Sequence, residues 1–275
     1  MKKIGVFDSG YGGLTILKDI QHVLPEYDYV YLGDNARAPY GTRSFDVVYQ
    51  FTLQAVKRLF ELDCDLVILA CNTASAKALR TIQQNDLPKF AQEKKVLGVI
   101  RPTAEQIGKF TSSNVVGILG TPGTISSASY LLEIEKQYPN VTVHQKACPL
   151  WVPLIENNKH ESEGGKLIIK EDYLQLLEQD PLIDTVLLAC THYPIIENHL
   201  RSISGSKIQI IAQGEIVARS LKDYLKRHTE IEEKIGKNSH TTYYTTENPE
   251  DFSGKAKQFL GTAIQAIHTQ IDTIQ

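Results

Sequence analysis

No apolar run in this 275-residue chain approaches the roughly 20 residues that a membrane-spanning helix needs. Met1–Lys3 leads straight into an apolar strand pattern, without the apolar h-region and small-residue cleavage site of an export signal. An excess of one charge is also missing. The 29 Lys and Arg stand against 32 Asp and Glu, a formal −3 that offers no basic field to nucleic acid or anionic membrane. Cysteine is scarce, and Cys64, Cys71, Cys148 and Cys190 form no CxxC pair, which argues against a structural zinc site or a thioredoxin-like redox motif. A chain of this length needs no disulfide staple. Low-complexity segments are absent, and 42% hydrophobic with 22% charged residues is an ordinary globular balance. The expectation is a soluble cytoplasmic protein with free thiols, no metal, and neither membrane nor nucleic acid as partner.

What is present is a regular alternation of short apolar runs with stretches of helical period. Ile4–Phe7, Tyr29–Leu32, Leu66–Ala70, Val96–Val99, Val115–Leu119, Val141–His144, Val186–Ala189 and Ile208–Ile211 read as strands. The spacing predicts a helix from about Leu14 to Leu24 and another from Ser44, with Val48, Phe51, Ala55, Leu59 and Leu62 on one face. A further helix is expected from about Glu215 to Arg227, and the polar stretch His228–His240 reads as a surface loop. Strands separated by helices imply parallel sheets with right-handed crossovers.

The chain also repeats itself. Asp65-Leu-Val-Ile-Leu-Ala-Cys71-Asn72-Thr73 lines up with Asp184-Thr-Val-Leu-Leu-Ala-Cys190-Thr191-His192, and Ile4-Gly-Val-Phe-Asp8-Ser9-Gly10 echoes Val116-Gly-Ile-Leu-Gly120-Thr121-Pro122. Two α/β units of one plan would each carry a cysteine at the carboxyl end of a central strand, where open α/β sheets bind ligands. Pro102 after a strand end marks a boundary near Gly98, giving a first unit of 1–98 plus 207–275 and a second of 99–206. The chain from Ile208 would then return to the first unit. The expected fold class is α/β, with two pseudo-symmetric open parallel-sheet domains and an active site in the cleft between them.

Three segments carry the chemistry. Asp8-Ser9-Gly10-Tyr11-Gly12-Gly13 fits either a plain tight turn or an anion cradle at a helix start; Asp8 would repel phosphate but suits the ammonium of an amino acid. The loop Asp34–Gly41 carries Pro39 and Gly41, and reads as an ordered loop or one whose backbone N–H groups converge on a ligand. Cys71 and Cys190 each end a strand ahead of a polar helix start, where dipole and N–H donors would lower the thiol pKa from about 8.5 toward neutrality. A lone buried cysteine is usually inert packing, but a matched pair is what two-base proton transfer at a carbon needs. His192 adjoins Cys190 and could tune its ionisation or be purely structural. Thr121 and Thr124 could shape the cleft from the second unit. Cys64 and Cys148 read as small buried residues, and Glu156 has no distinguishing feature by itself.

Together these segments resemble the glutamate racemase family over almost the whole chain, through Asp8-Ser-Gly-x-Gly-Gly, Pro39-Tyr-Gly, Ala70-Cys-Asn-Thr-Ala, Gly98-Val-Ile, Gly120-Thr-x-Gly-Thr, Ala147-Cys-Pro and Cys190-Thr-His-Tyr-Pro. The resemblance implies cofactor-independent interconversion of L- and D-glutamate, supplying D-glutamate for peptidoglycan, with a homodimer as the family's habit. It implies Cys71 and Cys190 as the acid–base residues, assisted by Asp8, Glu156 and His192. Ligand contacts would come from Asp8, Ser9, Tyr40, Gly41, Asn72, Thr73, Thr121, Thr191 and His192. Ala189 stands where the family usually has Gly, and Thr103 where Gly commonly follows the proline. A long extension ahead of Met1, found in members activated by a cell-wall nucleotide precursor, is missing, and such activation is not expected. The competing readings are a racemase of aspartate or another amino acid, a non-catalytic two-lobed binder of a dicarboxylic amino acid, and a thiol redox or metal protein.

Overall fold

The computed structural model of the chain describes residues 1–271, so 272–275 of the expected first unit lie outside the described residues. Apolar runs too short for helices become strands, as their β-branched content favours. They are β1 (Lys3–Asp8), β2 (Tyr29–Gly33), β3 (Cys64–Leu69), β4 (Lys95–Gly98), β5 (Val115–Gly120), β6 (Thr142–Ala147), β7 (Thr185–Ala189), β8 (Gln209–Ile211), β9 (Thr241–Thr245) and β10 (Ala266–His268). Every described strand pairing is parallel. One sheet runs β10-β9-β2-β1-β3-β4 and the other β6-β5-β7-β8.

The order β2-β1-β3-β4 of the first sheet is reproduced as β6-β5-β7-β8 in the second. This is the internal repeat in three dimensions. It also corrects one expectation: the strand at Ile208 does not return to the first unit but pairs with β7, through Thr185 opposite Gln209 and Leu187 opposite Ile211. The reason lies in the repeat, since β8 is the counterpart of β4 and a three-stranded second sheet would leave the flank of β7 unpaired. The return comes one element later, where the helix Gly214–Arg227 packs on the helix Gly13–Val23 under the first sheet.

The helix faces follow their spacing. Leu14, Leu17 and Ile20 of Gly13–Val23 and Val217, Leu221 and Leu225 of Gly214–Arg227 are buried in one core. Val48, Ala55, Val56 and Leu59 of the helix Phe45–Glu61 fill the other face of the first sheet. The stretch His228–His240 is not simply a surface loop: Thr229–Glu232 is helical, and Ile231 and Ile235 are buried against the first unit. Beyond it, β9, β10 and the helix Pro249–Leu260 extend the first sheet and its cover, elements the strand pattern did not announce. No helix among the described residues is long and apolar enough to cross a membrane.

Candidate active site

Strand order reverses at β1 in one sheet and β5 in the other, each lying between the strand before it in space and the one after. At such a point the loops leave in opposite directions and open a crevice at the carboxyl ends. Asp8 ends β1, Cys71 follows β3, Thr121 follows β5 and Cys190 follows β7, so the four segments singled out by the repeat meet there.

Cys71 caps the helix Asn72–Lys77, its Sγ accepting the Ala74 N–H at 3.5 Å with Ser9 Oγ also 3.5 Å away. Asp8 is fully buried; its Oδ1 accepts the Gly10 N–H at 2.9 Å, and its Oδ2 accepts Thr191 Oγ1 at 3.3 Å from the second unit. Thr15 on the first helix donates to the Thr191 carbonyl at 3.0 Å. Gly12 lies so close to Thr191 and His192 that any Cβ there would collide with both. The Asp8 loop and the Cys190 loop are thus in direct contact.

The two thiols have different neighbours. Cys190 Sγ lies 4.0 Å from His192 Nδ1, and the other ring nitrogen lies 2.9 Å from Glu156 Oε1 at the end of the helix Trp151–Glu156. Burial works to lower the imidazole pKa, but the hydrogen bonds and charges of Cys190 and Glu156 outweigh it and raise it to about 10. Phe259 of the C-terminal helix meets the same ring edge-on at 5.4 Å between centroids. Among the described residues no Lys, Arg or His hydrogen-bonds to Cys71. Burial, reinforced by the Asp8 carboxylate, pushes its pKa up to about 12 against the opposing N–H of Ala74 and the Ser9 hydroxyl. This overturns the expected drop toward neutrality at Cys71, because a single short helix end does not repay the desolvation of a buried thiolate. Asp8 is itself raised by burial, with His192 and the Gly10 and Gly13 N–H groups pulling the other way.

From the second unit, Thr121 caps the helix Pro122–Ser126 and joins Thr73 at 2.9 Å and Thr124 at 3.1 Å. Gly41 packs against Thr121 and its carbonyl accepts the Gly123 N–H at 2.7 Å, so the Pro39 loop closes on the second unit. The Tyr40 side chain turns away into the core, where its hydroxyl donates to Asp34. Only the backbone of Tyr40 is therefore available to a ligand. Asn72 is 3% exposed and tied to Tyr130 and Gln213, two residues no sequence motif had singled out. Cys64 and Cys148 are buried with raised pKa values, caused first by that burial, as expected of packing residues. Among the described residues no group of three or more His, Cys, Asp and Glu is arranged to hold a metal ion.

The family model for Asp/Glu/Hydantoin racemase matches residues 14–221. A glutamate racemase from Geobacter metallireducens is 38% identical over 261 residues, covering 94% of this chain and 93% of that one. A solved glutamate racemase isoform from Bacillus anthracis superposes with a TM-score of 0.89 at 33% identity, covering 98% of both chains. The Francisella tularensis glutamate racemase, solved in complex with D-glutamate, gives 0.86 at 33% identity and 99% of both. With its repeated sheets, its paired strand-end cysteines and these near full-length matches, the chain belongs to the Asp/Glu/Hydantoin racemase family.

Proposed function

We propose that this chain is a glutamate racemase that moves protons between two thiols and needs no cofactor. The observation that carries the reading is the pair Cys71 and Cys190, at equivalent strand ends but with opposite acid–base surroundings. A two-base racemase needs that asymmetry, because at each turnover one group must accept a proton while the other holds one. Cys71, kept protonated by burial and Asp8, is the donor at neutral pH. Cys190, facing the His192 imidazolium, is the base. It takes the α-proton of L-glutamate, and the electron pair left behind delocalises into the α-carboxylate. Cys71 then delivers its proton to the opposite face and the C–H bond re-forms inverted. The enzyme ends with the proton on Cys190, ready for D-glutamate.

In this reading Asp8 faces the substrate ammonium and Ser9 keeps Cys71 in place. The backbone N–H groups of Tyr40 and Gly41 hold the side-chain carboxylate, with Thr121 behind them. Asn72, Thr73 and Thr191 engage the α-carboxylate, while Glu156 holds His192. The two sheets are the cores of two lobes, the second reaching through β8. Glutamate is favoured as substrate by the relatives' activity and by the D-glutamate complex from Francisella tularensis. Its D-enantiomer would feed peptidoglycan synthesis.

The test is incubation with L-glutamate in deuterated buffer. Optical rotation should decay to zero while deuterium enters the α-position. Constant rotation with tight glutamate binding would favour a non-catalytic binder instead.

A further inference from the structure

The chain crosses between the two sheets twice, at Val99 after β4 and at Gln213 after β8. Buried side chains link the two crossings to the residue beside Cys71. Asn72 Nδ2 donates to Gln213 Oε1 at 2.7 Å. Gln213 Nε2 donates to Tyr130 Oη at 2.6 Å and to Thr103 Oγ1 at 2.9 Å. Tyr130 donates to Asn72 Oδ1 at 2.6 Å, closing a ring of three, and Thr103 passes its own hydrogen to the Val99 carbonyl at 2.8 Å. Thr103 and Tyr130 are fully buried, Gln213 is 2% exposed and Asn72 3%.

The donor and acceptor sense of this ring is fixed at each bond. Turning the Asn72 amide over would put its oxygen against Gln213 Oε1 and its N–H₂ against the Tyr130 hydroxyl, and an unmatched buried polar pair is costly. Gln213 is held through Thr103, whose hydrogen goes to the Val99 carbonyl, so that its Oγ1 can only accept and the Gln213 N–H₂ must face it. Among the described residues Asn72 Nδ2 has no other protein acceptor, so one of its N–H groups is left over. Thr103 stands where the racemase pattern commonly has Gly, and its hydroxyl supplies the acceptor for the second Gln213 N–H.

We propose that Gln213, Tyr130 and Thr103 are positioning residues, which lock the Asn72 amide so that its remaining N–H meets the substrate α-carboxylate. The ring sits where both lobe crossings pass, so it also fixes that amide relative to the second lobe. The inference rests on the glutamate racemase reading and on the contact of Asn72 with that carboxylate.

The experiment is a kinetic cycle on the full chain, following L-glutamate by circular dichroism. Thr103→Val removes the hydroxyl at nearly constant shape, and Thr103→Ser keeps it. Thr103→Val, Tyr130→Phe and Gln213→Ala should each lower kcat/KM about three- to tenfold, as for one or two neutral hydrogen bonds, with Thr103→Ser close to native. In an Asn72→Ala background the same substitutions should have no further effect on kcat/KM, while thermal midpoints still fall with each. Losses that multiply in that background, or an Asn72→Ala variant with native kcat/KM, would overturn the inference while leaving the racemase reading intact. A native chain inert toward glutamate would overturn both. Should Gln213→Ala not fold, the Thr103 pair carries the same cycle.

Discussion

Glu156 Oε1 lies 2.9 Å from His192 Nε2, while the opposite ring nitrogen stands 4.0 Å from Cys190 Sγ. The carboxylate is 24% exposed and the imidazole 6%, so the histidine connects a partly solvated charge to a buried sulfur. Glu156 is 34 positions before Cys190 in the chain and arrives from the end of the helix Trp151–Glu156, whereas Cys190 follows a strand. Its hydrogen-bonded link toward Cys190 runs through His192.

Stability should carry the signature of this pair. The folded pKa of His192, about 10, lies above its ordinary 6.5, so the native state holds the proton more tightly than the unfolded chain. The resulting stabilisation is complete below about pH 6.5 and is lost as pH rises toward 10. Denaturant unfolding of the native chain should show stability falling across that window. Glu156→Gln should flatten the fall, and an unchanged slope in that variant would remove Glu156 as its source. The raised Cys71 thiol adds a loss of the same sign above its ordinary 9.0, common to both proteins.

Glu156→Gln should also slow racemisation. A hydrogen bond to a charged group contributes about 1.5–3 kcal/mol, so kcat/KM should fall about ten- to a hundredfold. The fall must be equal in both directions, because the two enantiomers are equal in energy. A variant at native efficiency, measured from L- and from D-glutamate, would show the relay to be unnecessary.

Cys71→Ala and Cys190→Ala should each lose about 10²–10⁴-fold in racemisation, the scale of general acid–base catalysis. Inversion requires removal on one face and delivery on the other, and in the proposed mechanism neither thiol does both. Residual α-exchange should be stereoselective: L-glutamate exchanges with Cys190 alone intact, and D-glutamate with Cys71 alone intact. NMR of deuterium uptake checks this, with circular dichroism for the fold. A folded single variant near the native rate would end the two-thiol mechanism.

Alkylation should report the buried state of Cys71. With its pKa pushed up to about 12, its iodoacetamide rate should rise with pH without a plateau up to pH 9. Peptide mapping in the Cys190→Ala background isolates the signal. A plateau near neutral pH would mean that Cys71 is a thiolate in the free protein.

Glutamate should be preferred to aspartate. If the proposed contacts hold the two carboxylates, removing one methylene takes one of them out of reach of either the Tyr40–Gly41 backbone or the group at Asn72, Thr73 and Thr191. Each unpaired buried polar group costs about 1–3 kcal/mol, so discrimination of about tenfold to a hundredfold or more is expected. Equal kcat/KM for both acids would contradict the proposed carboxylate sites.

The sequence by itself determined the strands β1 to β8, to within a few residues at their ends, and the two thiols at equivalent strand ends. Those signals are local: apolar runs set strands, turn residues set their ends, and the repeat of Asp65–Thr73 in Asp184–His192 needs no folding to be seen. It did not determine that Gln209–Ile211 belongs to the second sheet, because a strand's pattern carries no label for its partner. Nor did it reveal the cover supplied by Phe259, the polar ring of Gln213 and Tyr130, or the different surroundings of Cys71 and Cys190. These depend on distances between residues remote in the chain and on the extent of burial. By motif the two cysteines differ in the His192 that follows Cys190, where Thr73 stands at the matching place after Cys71. Tertiary structure set Asp8 near Cys71 and brought Glu156 to the far side of the His192 ring, and burial with a neighbouring carboxylate is what keeps the proton on Cys71.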